Sequence, residues 1–268
     1  LPLYEAKMFR PYDHRFGSVY VEEKNWVNQG QTTETTLVEY QNPEHVVLPR
    51  WWAEEREILA RVDGNIPSAL MAFRNVTRAT DSRTVLATFI PASGVVNSAP
   101  LILFEDGRAP RQQCCLLANL NSLALDYVAK CKIANVNLNF FIVEQLPVFS
   151  PDFYEQKCPW DGKQTLEKWI SERVLKLTCT ANDMLPLAEA AGFKEGVHKW
   201  REDERRELMA ELDAAYFLLY GIDRDDAQYI LSTFSGAADK ETGLLASGTQ
   251  FELVLEKYDE LRAKTRKG

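Results

Sequence analysis

Residues 116–147, LLANLNSLALDYVAKCKIANVNLNFFIVEQLP, decide how the rest of the chain is read. In the first half Leu116, Leu120, Leu123, Tyr127 and Cys131 recur every three or four residues, the period that places them on one helix face. Asn119, Asn121, Ser122 and Lys130 fall between them. The character changes at Asn135, Val136 and Asn137, because asparagine amides bond their own backbone and favour turns. Leu138 to Val143 is then a short, almost wholly apolar run, the pattern of a strand buried on both faces. The expectation is a helix delivered onto a core strand through an asparagine-rich loop.

On the N-terminal side the pattern is strand-like. Leu1–Met8 and Phe16–Val21 read as strands flanking a polar, aromatic loop at 9–15, with Lys7, Arg10, His14 and Arg15 in or beside it. Residues 22–48 are polar and weakly patterned and read as loop around one strand near Thr36–Tyr40. Trp51–Val62 suits a short amphipathic helix, and three strands follow at Ala69–Val76, Val85–Ile90 and Pro100–Phe104. On the C-terminal side, Pro147–Trp160 is rich in proline and aromatics and reads as a boundary. Amphipathic helices follow over 163–264. The expected class is α+β, with a mixed α/β domain at residues 1–150 and a mainly helical domain at 151–268.

At 268 residues, 46% hydrophobic and 26% charged, the chain has the composition of a globular protein. Its net charge of -8 argues against nucleic acid as a partner of the whole surface, since phosphate binding rests on Lys and Arg. The acidity is uneven: residues 1–150 carry a net -2 and residues 151–268 a net -6, which leaves room for a basic face on the first part. The five cysteines have no CxxC spacing and His14, His45 and His198 lie far apart, so no metal site is expected and the thiols read as reduced, in a cytoplasmic setting. No apolar run approaches the ~20 residues of a membrane helix. The opening Leu-Pro-Leu-Tyr, without Met, reads as the start of an excised piece.

The stretch with the most chemistry is the loop from Arg74 to Thr84. Arg74, Asn75, Thr77, Arg78, Asp81, Arg83 and Thr84 supply the donor types that hold DNA phosphates and read base edges, with a single acid among them. Asp81 is expected to orient an arginine or to accept from a cytosine amino group. The asparagines Asn119, Asn121, Asn135, Asn137 and Asn139 are further candidates for base contacts, and Lys7, His14 and Arg15 for the backbone. Read without function, the same loop is a solvated hairpin whose Thr and Ser cap turns. PDFYEQK at 151–157 is too tightly spaced for a nuclease metal site.

LNSLALDYVAKCKIANVNLNFFIVEQLPV resembles the end of the target-recognition domain in bacterial adenine-specific DNA methyltransferases with fused specificity regions. These are the type IIG-like restriction–modification enzymes and related phage-defence methylases. LPLYEAKMFRPYDHRFGS at 1–18 and FRNVTRATDSRTVLATFIP at 73–91 are similar to the same family, as are VLKLTCTANDMLPLAEAAGF and ERRELMAELDAAYFLLYGIDRDDAQYILSTF further on. The resemblance implies sequence-specific binding of double-stranded DNA by the C-terminal region of a larger enzyme. It also implies an N-terminal methyltransferase domain as partner. That domain's two signatures, a glycine-rich loop for S-adenosylmethionine and an Asn/Asp-Pro-Pro-aromatic tetrapeptide, are missing: the sequence has no Gly-x-Gly and no Pro-Pro. No cofactor and no catalysis are therefore expected of this chain alone, and S-adenosylmethionine belongs to the catalytic domain. The competing expectations are a helical scaffold that docks other subunits of a defence system, and an independent enzyme without a recognisable site.

Overall fold

The computed structural model describes residues 1–19, 30–60, 67–104, 107–134, 136–234 and 248–266. Short strands alternate with single helical turns at first: β1 (Pro2–Tyr4), β2 (Gly17–Val19), β3 (Thr32–Glu34), α1 (Leu37–Tyr40), β4 (Trp51–Trp52), α2 (Glu55–Leu59), β5 (Leu70–Phe73), β6 (Ala87–Ile90), β7 (Gly94–Val95) and β8 (Leu101–Ile102). Helices then dominate: α3 (Pro110–Asn121), α4 (Leu123–Lys132), the one-turn α5 (Phe140–Val143), the pair β9 (Lys157–Cys158) and β10 (Asp161–Thr165), α6 (Leu166–Thr178), α7 (Leu185–Ala190), α8 (Glu202–Leu219), α9 (Arg224–Ser232) and α10 (Gly248–Thr265). The class is α+β, as expected.

The chain divides into two compact units, each discontinuous in sequence. The first takes residues 1–76, 86–110 and 175–200; the second takes 77–85, 111–174 and 201–268. A single cut near residue 150 does not describe this division. The reason is that residues 77–85 bond within the second unit, while residues after 174 return to the first.

In the first unit β1 runs antiparallel to β4 and parallel to β7, and β5 lies antiparallel between β6 and β8. The strands β5 and β6 are buried at every residue, Leu70–Phe73 against Ala87–Ile90, the continuous apolar pattern of a covered sheet. β2 and β3 approach closely at Gly17, where a Cβ would stand 2.5 Å from the Thr32 methyl and 2.7 Å from the Thr33 carbonyl oxygen. Only glycine fits there.

The 9–15 loop, expected to be a polar surface, is core instead. Arg15 is wholly buried, and its guanidinium donates to the carbonyls of Asn42 (3.0 Å), Tyr40 (3.1 Å) and Thr180 (3.0 Å). His14 meets the Asp183 carboxylate at 2.9 Å. Burial pulls the Asp183 carboxyl upward, but His14 and Arg15 outweigh it and hold it below the ordinary range. Asp13 accepts from the Arg15 amide (2.9 Å) and the Tyr40 hydroxyl (2.6 Å). Each of these three side chains makes at least one hydrogen bond, which offsets part of the desolvation cost of burying it.

The second unit corrects the opening expectation twice. The single helix of the 116–132 pattern is two helices. Ser122 breaks it by adopting extended backbone as the N-cap of α4, accepting from the Leu125 amide (3.3 Å) and donating to the Asn119 carbonyl (2.8 Å). The apolar run at 138–143 is no core strand. Asn139 adopts extended backbone ahead of α5, and the Asn139 carbonyl accepts from the amides of Ile142 (2.9 Å) and Val143 (3.1 Å). Ile142 is buried, whereas Phe140 and Phe141 are 64% and 59% exposed. Six residues are too few for period alone to separate a strand from a helical turn. The long C-terminal helices follow the pattern: α8 packs on α10, with Leu212, Ala215, Tyr216, Val254, Tyr258 and Leu261 buried. Asp223 caps α9 by accepting from the Asp226 amide at 2.9 Å.

Candidate nucleic-acid interface

Residues 77–85 are held within the second unit by a buried ion pair and by hydrogen bonds around it. Arg83, 6% exposed, places its Nε 2.7 Å from Oδ2 of the fully buried Asp126, and its Nη2 donates to the Asn121 carbonyl. The other Asp126 oxygen accepts from the amides of Val85 (2.7 Å) and Thr84 (3.0 Å). A second buried acid, Asp213 on α8, accepts from the Leu123 amide at 2.8 Å and caps the first turn of α4. Burial pushes the Asp213 carboxyl up to about 6, against the attraction of Arg83. Burial also pushes Asp126 up, opposed by Arg83 and the two amides. Arg83 and Thr84 are thus anchors of the loop and have no surface to offer to DNA.

The loop tip is built by Asp81. Its carboxylate accepts from the Arg78 amide (3.0 Å), and its own amide donates to the Arg78 carbonyl (3.0 Å), closing a turn. Asp81 is therefore a turn residue in this fold. Thr77 is 1% exposed and bonds the Arg83 carbonyl (3.3 Å). Arg78 and Thr80 are the exposed polar side chains of the tip. Arg74 and Asn75 lie in the first unit, half-buried, with Arg74 Nε donating to the Val76 carbonyl at 2.6 Å.

The asparagine candidates separate sharply. Asn119 is fully buried: its Nδ2 donates to the Tyr220 hydroxyl (2.6 Å), and its Oδ1 accepts from the Phe149 amide (3.1 Å) and the Tyr154 hydroxyl (3.2 Å). Asn121 is 2% exposed. Asn119 ties α3 to the residue after α8, and neither asparagine faces solvent. Asn135 lies outside the described residues, Asn137 is half-buried and Asn139 is exposed. In the first unit His14 and Arg15 are buried, as above, while Lys7 is half-buried between the Glu5 carboxylate (3.1 Å) and the Gly30 carbonyl.

Two stretches that the sequence left separate do meet. The Thr77 amide donates to the Val136 carbonyl at 3.1 Å, so the loop tip joins the segment leading into α5. Arg78 stands one residue from this junction, and Asn137, Asn139, Phe140 and Phe141 follow within five on the other side. α5 packs against α4, whose last turn carries Lys130 and Lys132. Lys130 is engaged with the Thr233 carbonyl (2.9 Å), and Lys132 is exposed. Glu144 is the exposed acid at the end of α5. The surface thus offers exposed cations, an asparagine amide and two aromatic faces, the groups that hold phosphates and touch bases.

Sequence reading missed the acids Asp126 and Asp213 and the exposure of the two phenylalanines. Asp126 had a signal, as a lone carboxylate in an otherwise apolar Leu123–Leu125 turn. Among the described residues no group of His, Cys, Asp and Glu is arranged to hold a metal, and no helix is long and apolar enough to cross a membrane. No family model, no curated protein and no solved structure gives a significant match to this chain.

Proposed function

We propose that this chain is the DNA target-recognition region of an adenine-specific DNA methyltransferase of the restriction–modification or phage-defence type. It selects and holds the duplex while a separate domain of the same protein performs base flipping and methyl transfer. The support is the ordered resemblance over residues 1–18, 73–91 and 116–147 and beyond, together with one observation: the junction of Thr77 with Val136, which gathers Arg78, Asn137, Asn139 and two exposed phenylalanines. The proposal leaves S-adenosylmethionine to that separate domain, and no step of it runs through the cofactor.

The test is a gel shift of the full chain with a pool of random duplexes, at two salt concentrations, with the bound fraction sequenced. Arg78→Ala is expected to weaken all duplexes alike and to reduce the slope of log affinity against log salt by about one, the signature of one lost phosphate contact. Binding that is unchanged in Arg78→Ala at both salts removes the loop tip from the interface. No salt-dependent shift by the parent chain favours the scaffold reading instead.

A further inference from the structure

We propose that Phe140 and Phe141 act as an apolar wedge that enters a DNA duplex between adjacent base pairs, beside the phosphate held by Arg78. This rests on the DNA-recognition reading above and names how that same site engages its partner. Two neighbouring phenylalanines remain 64% and 59% exposed, whereas of the other eleven five are buried and six half-buried. Such a patch marks an interaction surface more often than a random feature of the exterior.

The geometry holds the pair outward. Leu138 (1% exposed), Ile142 (7%) and Leu146 (6%) are buried on either side, so three anchors fix the turn and leave positions 140 and 141 projecting. The Gln145 side chain donates to the Phe141 carbonyl (2.8 Å), and the Glu144 amide to the Phe140 carbonyl (2.9 Å), which closes the single turn around them. Consecutive helical residues point about 100° apart, so the two rings present a broad blade and not a single spike. Its exposed charges are two cations, Arg78 at the joined loop tip and Lys132 at the end of α4, against the acid Glu144, while the half-buried Asp81 carboxylate is engaged by the Arg78 amide. Positive charge around an apolar blade complements a stack of bases flanked by phosphates. Wedges of Phe, Leu or Ile partly unstack a base step and kink the duplex, which lets more of the protein reach it.

The experiment uses the full chain with the random duplex pool, end-labelled for energy transfer and carrying 2-aminopurine. Binding of the parent chain is expected to brighten the 2-aminopurine, by unstacking, and to shorten the end-to-end distance, by bending. The double variant Phe140→Ser, Phe141→Ser is expected to lose both signals and to bind roughly tenfold more weakly or worse, with its salt slope unchanged. Because both side chains are exposed, its melting temperature should equal the parent's. A double variant that binds, unstacks and bends like the parent overturns the wedge and leaves the DNA-recognition reading standing. A double variant whose only change is in self-association also overturns it. A parent chain that binds no duplex overturns both proposals together.

Discussion

Asp126→Ala is expected to cost the chain about 3–5 kcal/mol, the penalty of stranding one partner of a buried ion pair. Asp126 is completely buried, and its removal leaves the Val85 amide (2.7 Å) and the Thr84 amide (3.0 Å) without this acceptor and the Arg83 guanidinium (2.7 Å) without its counter-charge. Each orphaned amide alone costs about 1–3 kcal/mol when water cannot reach it. Asp126→Asn should fall between, since it retains one oxygen for the amides but no charge for Arg83. Replacing both members together, Arg83→Met with Asp126→Leu, should recover much of the loss on the ion-pair side and so separate the stranded charge from the missing amide acceptor. Urea unfolding at pH 7 measures this. A loss below about 1 kcal/mol in Asp126→Ala would mean that the pair does not anchor residues 77–85. If the proposed DNA binding is weakened in Arg83→Ala, the cause is a loosened loop, not a lost base contact, because Arg83 is buried.

Asp213→Asn is expected to act in the opposite direction and to depend on pH. The Asp213 carboxyl titrates at about 6 in the folded chain, pushed up by burial, while in the unfolded chain it titrates near the ordinary aspartate value of about 4. Below about pH 4 both states are protonated there and the residue costs nothing. Between about 4 and 6 the folded state holds the proton more tightly, so stability falls as pH rises. Above about 6 both states are ionised and the full penalty stands, about 3 kcal/mol for a difference of this size. Asparagine keeps an oxygen to accept from the Leu123 amide and carries no charge, so the penalty is removed. The variant should therefore match the parent near pH 4 and exceed it by about 3 kcal/mol at pH 7.5, with the gap opening through the interval between. Denaturant unfolding of both chains at four pH values gives this difference directly, and other titrating groups cancel in it. A gap that is constant with pH, or absent at pH 7.5, would show that Asp213 is ionised at little cost.

The network explains a tension in the acidic second unit. Among the described residues Arg83 is the cation that acts on both Asp126 and Asp213, so one of the two carboxylates is under-compensated. A buried group kept at that cost has a job to do. Here Asp126 ties residues 77–85 to the start of α4, and Asp213 ties the same helix end to α8. The exposed tip at Arg78 is carried on that frame, so a rigid base supports the surface proposed to meet DNA.

What the sequence determined by itself was whatever local periodicity and capping can specify. The amphipathic faces of α8 and α10, the Asp223 cap of α9, the apolar strands β5 and β6 and the α+β class all follow from spacing and residue type. The tertiary structure decided what each polar residue does. Arg15, Arg83, Asn119 and Thr84 have the composition of a binding surface, yet each is buried, because a carbonyl, carboxylate or hydroxyl from elsewhere in its unit engages it. Such partners lie tens of residues away in the chain, and no local pattern announces them. The same holds for Phe140 and Phe141: an apolar run is neutral between strand and helical turn, and only the burial of Leu138, Ile142 and Leu146 around them turns the pair to the outside. Burial is a property of the whole packed unit, which is why the residues that remain available to a partner emerged only with the fold.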